Sequence, residues 1–217
     1  MKFLRLKLKA PLQSWGERSR WDQRDTAAVP TKSGIIGLLG CCMGIPRSDE
    51  RLKELDVKLH FAVRTDHSGR IMTDFHTVQT EKDNFPNAAG DKRTGNTIIT
   101  PKQYLQDAEF TIWLWGDEDM LVKCKEALEA PHWTPYLGRK NCVPSLPLVP
   151  SIMEASSIDN AVKADLQRTS EVQIEMQQGD ALMDQERLIY RPDKVIDASK
   201  NEYSYRAIRA YTVRMEE

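Results

Sequence analysis

Three features of this 217-residue chain predict an α+β fold. Residues 3–9 alternate, with Leu4, Leu6 and Leu8 on one side and Arg5, Lys7 and Lys9 on the other, the period-2 pattern of a half-buried strand. A polar turn, Pro30-Thr31-Lys32-Ser33, then runs into an apolar, glycine-containing stretch that reads as a helix. Residues 108–115 alternate again and lead into Asp117-Glu118-Asp119, acids placed where a helix dipole favours them. With one more strand in between, the order is strand, helix, strand, strand, helix. That order opens a ferredoxin-like (RRM-like) βαββαβ unit.

Each element has its own reason. The first helix starts near Ser33, with Thr31 or Ser33 as N-cap, and Ile35, Ile36, Leu38, Leu39 and Met43 form its buried surface. Gly34, Gly37 and Gly40 each cost about 1 kcal/mol of helix propensity against alanine, so close approach to a sheet is the expected compensation. In residues 57–65, Val57, Leu59, Phe61 and Val63 point inward and Lys58, His60 and Arg64 outward. Residues 66–105 form a long, mostly polar excursion, a length that is usually functional or disordered. Leu121, Val122 and Leu128 supply the apolar side of a second helix at about 119–129, and a fourth strand falls in 146–153. Short strands at 172–177, 187–191 and 205–215 predict a smaller antiparallel C-terminal lobe. The chain therefore divides into 1–150 and a small β-rich domain at 151–217.

Hydrophobic content of 40% and charged content of 29% fit a globular protein. The net charge of −1 does not advertise nucleic acid, but its distribution is uneven: net +5 over residues 1–32, −2 over 33–150 and −4 over 151–217. Cys41, Cys42, Cys124 and Cys142 show no metal spacing, which predicts a reduced, cytoplasmic protein. The N-terminus has no signal-peptide pattern, and the apolar run at 34–45 is too short to span a bilayer, so no membrane is predicted.

Candidate binding residues cluster in four places. Trp15 and Trp21 share a loop with Arg18, Arg20 and Arg24; an exposed ring there stacks on a base, and a buried one anchors the loop. Thr31, Lys32 and Ser33 precede a helix N-terminus, an arrangement that holds an anion, though no Walker pattern is present. In the excursion, His76 reads as a general base, a stacking ring or a structural hydrogen-bonder, and Lys82, Lys92, Arg93 and Lys102 as a basic arm. Pro135-Tyr136-Leu137-Gly138-Arg139-Lys140 joins a ring, a glycine and two cations. No carboxylate pair, metal cluster or Ser/His/Asp ordering stands out, and no metal or other cofactor is implied.

Taken in order, Pro11-Leu12-Gln13-Ser14-Trp15-Gly16, then Pro30 through Gly40, Asp74-Phe75-His76-Thr77-Val78 and Thr134 through Cys142 resemble the CasD family, the fifth Cas family of the RAMP superfamily, in its type I-E form. The resemblance spans roughly residues 3–150. It implies a ferredoxin-like domain with a long β-hairpin thumb at about 79–104, and a non-catalytic RNA-binding subunit of Cascade, the CRISPR surveillance complex of antiviral defence. Such a subunit binds the 5′ handle of CRISPR RNA, caps the filament of backbone subunits and touches the large, PAM-reading subunit. Target DNA is met indirectly, through base pairing. Carried onto this chain, Thr31, Lys32, Ser33, Arg139 and Lys140 meet phosphates. Trp15, His76 and Tyr136 are ring contacts or supports, and Lys92, Arg93 and Lys102 are contacts on the thumb. Lys32→Glu with Arg139→Glu is then expected to weaken RNA binding with the fold intact, and deletion of 82–100 to spare the domain. The alternative is a metal-independent endoribonuclease acting on precursor CRISPR RNA. Type I-C relatives cleave with a Tyr and an adjacent Lys-His pair, and no Lys-His dipeptide occurs here.

Overall fold

A computed structural model describes residues 1–17, 24–79, 85–86, 92–93, 97–164 and 166–214. The chain begins with β1 (Lys2–Lys9), then a two-residue strand β2 (Leu12–Gln13) and helix α1 (Lys32–Met43). A second helix, α2 (Arg51–Lys58), runs directly into β3 (Leu59–His67). The excursion holds β4 (Arg70–Gln79), the short β5 (Phe85–Pro86) and β6 (Lys92–Arg93), and β7 (Thr97–Gln106). After it come β8 (Glu109–Gly116), α3 (Glu118–Glu129), β9 (Ser151–Glu154) and α4 (Ile158–Lys163). The last three strands are β10 (Ser170–Glu175), β11 (Arg187–Asp197) and β12 (Glu202–Val213).

The main sheet has seven strands in the order β11-β12-β10-β3-β8-β1-β9, antiparallel at every pairing. Its helical side buries Leu4, Leu6 and Leu8 of β1 against Ile35, Ile36 and Leu39 of α1 and Leu121 and Leu128 of α3. The opposite side buries Phe3, Trp113 and Val172 beneath Ala161 and Val162 of α4. β8 is covered on both faces, which is why its sequence, Phe-Thr-Ile-Trp-Leu-Trp, is apolar almost throughout. The expected C-terminal strands are present and antiparallel, and they extend this sheet: β10 pairs with β3 from Glu171↔Thr65 to Ile174↔Ala62.

The bounds of two elements differ from the sequence reading. Residues 57–58 end a helix, so Val57 is exposed on α2 while Arg64 is buried on the far side of the sheet, its guanidinium donating to the Val162 carbonyl at 3.2 Å. The excursion is built on a long hairpin: β4 and β7 pair in register over their full length, from Arg70↔Gln106 to Gln79↔Thr97. Ile71, Thr73, Phe75 and Thr77 supply the β-branched and aromatic residues that favour strand. Much of the segment between these legs, including Lys82, Gly90 and Gly95, lies outside the described residues, as do Arg18, Arg20 and Trp21.

A buried ionic cluster ties α1 to the C-terminal strands. The Lys32 ammonium, on a residue only 2% exposed, donates to Glu175 Oε1 at 3.0 Å and to the Asp56 carbonyl at 2.7 Å. Its backbone N–H donates to Asp193 Oδ2 at 2.8 Å, and Asp193 is gripped by both arms of Arg206 at 3.0 and 2.7 Å. Glu175 also accepts from the Phe61 N–H at 3.0 Å. The Asp56 carboxyl lies inside this cluster, 3.9 Å from Lys32 Nζ, and neither of its oxygens makes a well-formed hydrogen bond among the described residues, although the Val195 backbone pulls on it. Burial pushes it up to about 6, against the pull of Lys32 and with a push from Glu175.

That shift has a sign. Below about pH 4 the Asp56 carboxyl is protonated whether folded or unfolded, and its contribution to stability is fully present. As pH rises through 6 the folded state must ionise a buried group and the contribution is lost. Asp56→Asn does not titrate. The stability of the wild type relative to Asp56→Asn is therefore expected to fall by on the order of 2–3 kcal/mol between pH 4 and pH 7. Urea unfolding of both proteins across that range measures it. A flat difference means that Asp56 stays ionised throughout.

Candidate nucleic-acid interface

Three separated segments meet beside α1. The Ser14 N–H donates to the Leu137 carbonyl at 3.1 Å. Gly138 crosses the Ser14 carbonyl at φ 90°, so closely that a Cβ there would sit 1.5 Å from the oxygen. The Arg139 guanidinium donates to three backbone carbonyls, Gln103 at 2.9 Å, Arg24 at 3.1 Å and Asp25 at 3.2 Å, and lies 4.7 Å over the Tyr104 ring. At the other end, the N–H groups of His132 and Trp133 donate to the carbonyls of Cys42 and Cys41 at the end of α1.

Between α1, the 133–140 segment and the β11–β12 turn lies a groove of about 710 Å³. The rings of Trp133, Tyr136 and Tyr203 line it, with Ser33 and Gly37 of α1. Arg47 and Lys140 are cations of its lining, and among the described residues no carboxylate lines it. Arg47 is held there by the Ala198 carbonyl at 2.8 Å and by the Asn201 side chain. Lys140 is exposed at the rim and pulls the thiol of Cys41 downward while burial pushes it up. Burial pushes the thiols of Cys42 and Cys124 up to about 12, so both stay protonated at neutral pH.

The structure brings some expected residues to this groove and places others beneath it or elsewhere. Ser33, Tyr136 and Lys140 reach it with partly or fully exposed side chains. Trp15 is 1% exposed, its ring packed on Gly34 and its Nε1 donating to Gln13 Oε1 at 3.1 Å, so it takes the anchoring role of the two read from the sequence. Thr31 is buried as the N-cap of α1, accepting from the Gly34 N–H. Lys32 is an ion-pair partner in the interior, and the first N–H of α1 already holds an anion, Asp193. Arg139 is spent on carbonyls. Charge reversal at Lys32 and Arg139 is therefore expected to disturb the fold, because it buries repulsion in one place and strips three carbonyls in the other. The α1 glycines are also corrected. Gly34 faces the Trp15 ring and Gly40 faces Leu52 of α2, not the sheet.

His76 and Lys102 lie on the hairpin, apart from the groove lining. His76 is half-exposed, with Nδ1 3.5 Å from Asp74 Oδ2, and Lys102 pairs in register with Asp74. Phe75, 66% exposed, stands opposite Pro101 on the other face of the hairpin. Lys92 and Arg93 form β6, and their side chains lie outside the described residues. Arg47, Trp133 and Tyr203 were not singled out in the sequence. Trp133 directly precedes the Thr134 motif and was the accessible signal; Tyr203 arrives from a distant strand.

The family model described as CRISPR-associated protein (Cas_Cas5) matches residues 3–217, and the chain belongs to that family. It is 35% identical over 172 residues to "CRISPR system Cascade subunit CasD" of Escherichia coli (strain K12), covering 74% of this chain and 75% of the relative. Among solved structures, a chain of a "CRISPR RNA-guided surveillance complex" superposes with a TM-score of 0.75 at 32% identity, covering 99% of this chain and 91% of the other. A second, "Crystal structure of Cas protein", gives a TM-score of 0.72 at 28% identity over 98% and 95% of the two chains. Among the described residues no helix is long and apolar enough to cross a membrane.

Proposed function

We propose that this protein is a non-catalytic RNA-binding subunit of a type I-E Cascade complex, holding the 5′ handle of CRISPR RNA in the groove beside α1. The observation that carries the reading is the groove's chemistry. Four rings, one of them the buried Trp15, and two cations line it with no carboxylate among the described residues, in a chain whose net charge is −1. Rings stack on bases without regard to sequence, and cations hold the backbone. Kinship to a Cascade subunit supplies the setting: a backbone subunit and the large PAM-reading subunit as neighbours, and a cytoplasmic location. The order β9-β1-β8-β3 within the sheet supports a ferredoxin-like domain, and the β4–β7 hairpin, with Lys92 and Arg93 between its legs in the chain, supports a thumb. In this reading Ser33, Tyr136 and Lys140 touch RNA, His76 and Lys102 belong to the thumb, and Trp15, Thr31, Lys32 and Arg139 hold the groove's walls.

The test is a labelled CRISPR repeat RNA incubated with the protein in EDTA and run on native and denaturing gels. Binding without cleavage is expected, with affinity falling steeply as salt rises because counterions are released. Tyr136→Ala is expected to weaken binding by about 5- to 150-fold, the equivalent of one lost stacking contact, with an unchanged melting temperature. Lys140→Ala is expected to flatten the salt dependence by about one counterion. A single cut in the repeat would make the protein a processing nuclease and bring His76 to the centre.

A further inference from the structure

Of the three glycines in α1, two have a packing reason. A Cβ on Gly34 would lie 2.8 Å from the Trp15 ring, and one on Gly40 2.5 Å from Leu52 Cδ2. Gly37 has none. Among the described residues nothing beyond its chain neighbours and the helix's own backbone lies within 4 Å of its Cβ position, it is exposed, and it sits inside the helix without a positive φ. Glycine in a helix interior weakens the helix relative to alanine, so the fold gains nothing from this residue. Its effect is on the groove. Gly37 leaves the backbone of α1 bare in the wall of the same cavity that Trp133, Tyr136, Tyr203, Arg47 and Lys140 line. Lack of a side chain lets a flat ring come within van der Waals contact of a backbone. Phosphates on either side of such a ring would meet the cations, and among the described residues no carboxylate in the lining opposes them.

We propose that Gly37 is the seat of one nucleobase: a base of single-stranded RNA lies against the bare backbone of α1, and the missing side chain sets the size of what fits. This rests on the reading that the groove takes RNA, and it adds the residue that admits the base.

The experiment uses the full chain, the labelled CRISPR repeat RNA, and the same RNA carrying single abasic sites stepped along its length. Gly37→Ala is expected to raise the melting temperature by about 2–4 °C, because it restores helix propensity. Gly37→Leu is expected to fold normally and to bind intact RNA at least about tenfold more weakly. One abasic position should weaken the wild type by a similar factor and leave Gly37→Leu no weaker than it already is. If Gly37→Leu binds intact RNA as tightly as the wild type does, with the usual salt dependence, the base seat is wrong and the groove reading stands. If the wild type does not bind RNA at all, the groove reading fails and takes the seat with it. If Gly37→Leu does not fold, the seat is also wrong, because the position then serves packing.

Discussion

Lys32→Ala is expected to lower the free energy of unfolding by about 3–5 kcal/mol, the cost of removing one partner from a buried ion pair. The ammonium sits between Glu175 and Asp56, and the substitution leaves those carboxyls facing one another in the interior. It also strands the Asp56 carbonyl, which accepts from Lys32 Nζ. Against a typical total of about 5–15 kcal/mol, a loss of this size unfolds a large fraction of the protein under mild denaturant. Urea titration followed by tryptophan fluorescence measures it. Removing the charges together, as Lys32→Met with Glu175→Gln, is expected to recover part of the loss, since an uncharged pair carries less desolvation cost. RNA affinity per folded molecule should be close to wild type. An unchanged urea midpoint with a selective loss of RNA binding would return Lys32 to the phosphates.

Gly138→Ala is expected to cost about 3 kcal/mol and, unlike Lys32→Ala, to damage the groove in molecules that remain folded. A positive φ costs a residue with a side chain about 1–2 kcal/mol. Relieving the overlap with the Ser14 carbonyl adds about 1–3 kcal/mol of overpacking. At φ 90° and 1.5 Å from that oxygen, the new methyl must lift the 136–139 turn, and the Ser14–Leu137 hydrogen bond goes with it. Tyr136 and Lys140 flank this turn, so RNA affinity should fall with the melting temperature while far-UV circular dichroism at 20 °C stays near native. Wild-type affinity with a lowered melting temperature would separate the turn from the groove.

The elements that depend on local pattern were legible in the sequence. β1, α1, α3 and β8 follow from period and capping residues within about ten positions of each other, and Thr31 caps α1 as one of the two candidates did. The eight residues of α2 were hidden because its last turn abuts β3 with no breaker, so Val57 joined the alternation of the strand. The hairpin read as an excursion because both of its faces carry polar residues and the usual contrast between faces is missing. The Ser14, Thr31 and Tyr136 segments were each singled out in the sequence; that they meet, and the roles of their cations, were not legible there. Lys32 and Arg139 look like surface cations beside a turn, and what buries them comes from Glu175, Asp193, Gln103 and Arg24, partners that local spacing does not reveal. Gly37 looked like its two neighbours, and only the packing around each separates them.

The contacts of Lys32 with Glu175 and Asp193 span 143 and 161 positions of the chain. At a synthesis rate of about 5–20 residues per second, that separation is roughly ten to thirty seconds on the ribosome. For that interval the ammonium stays hydrated, the first turn of α1 lacks its carboxylate, and the wall supplied by Tyr203 does not yet exist. A nascent chain in this state has the basic N-terminal segment but no finished groove. The groove is therefore completed only once the C-terminal strands have been made.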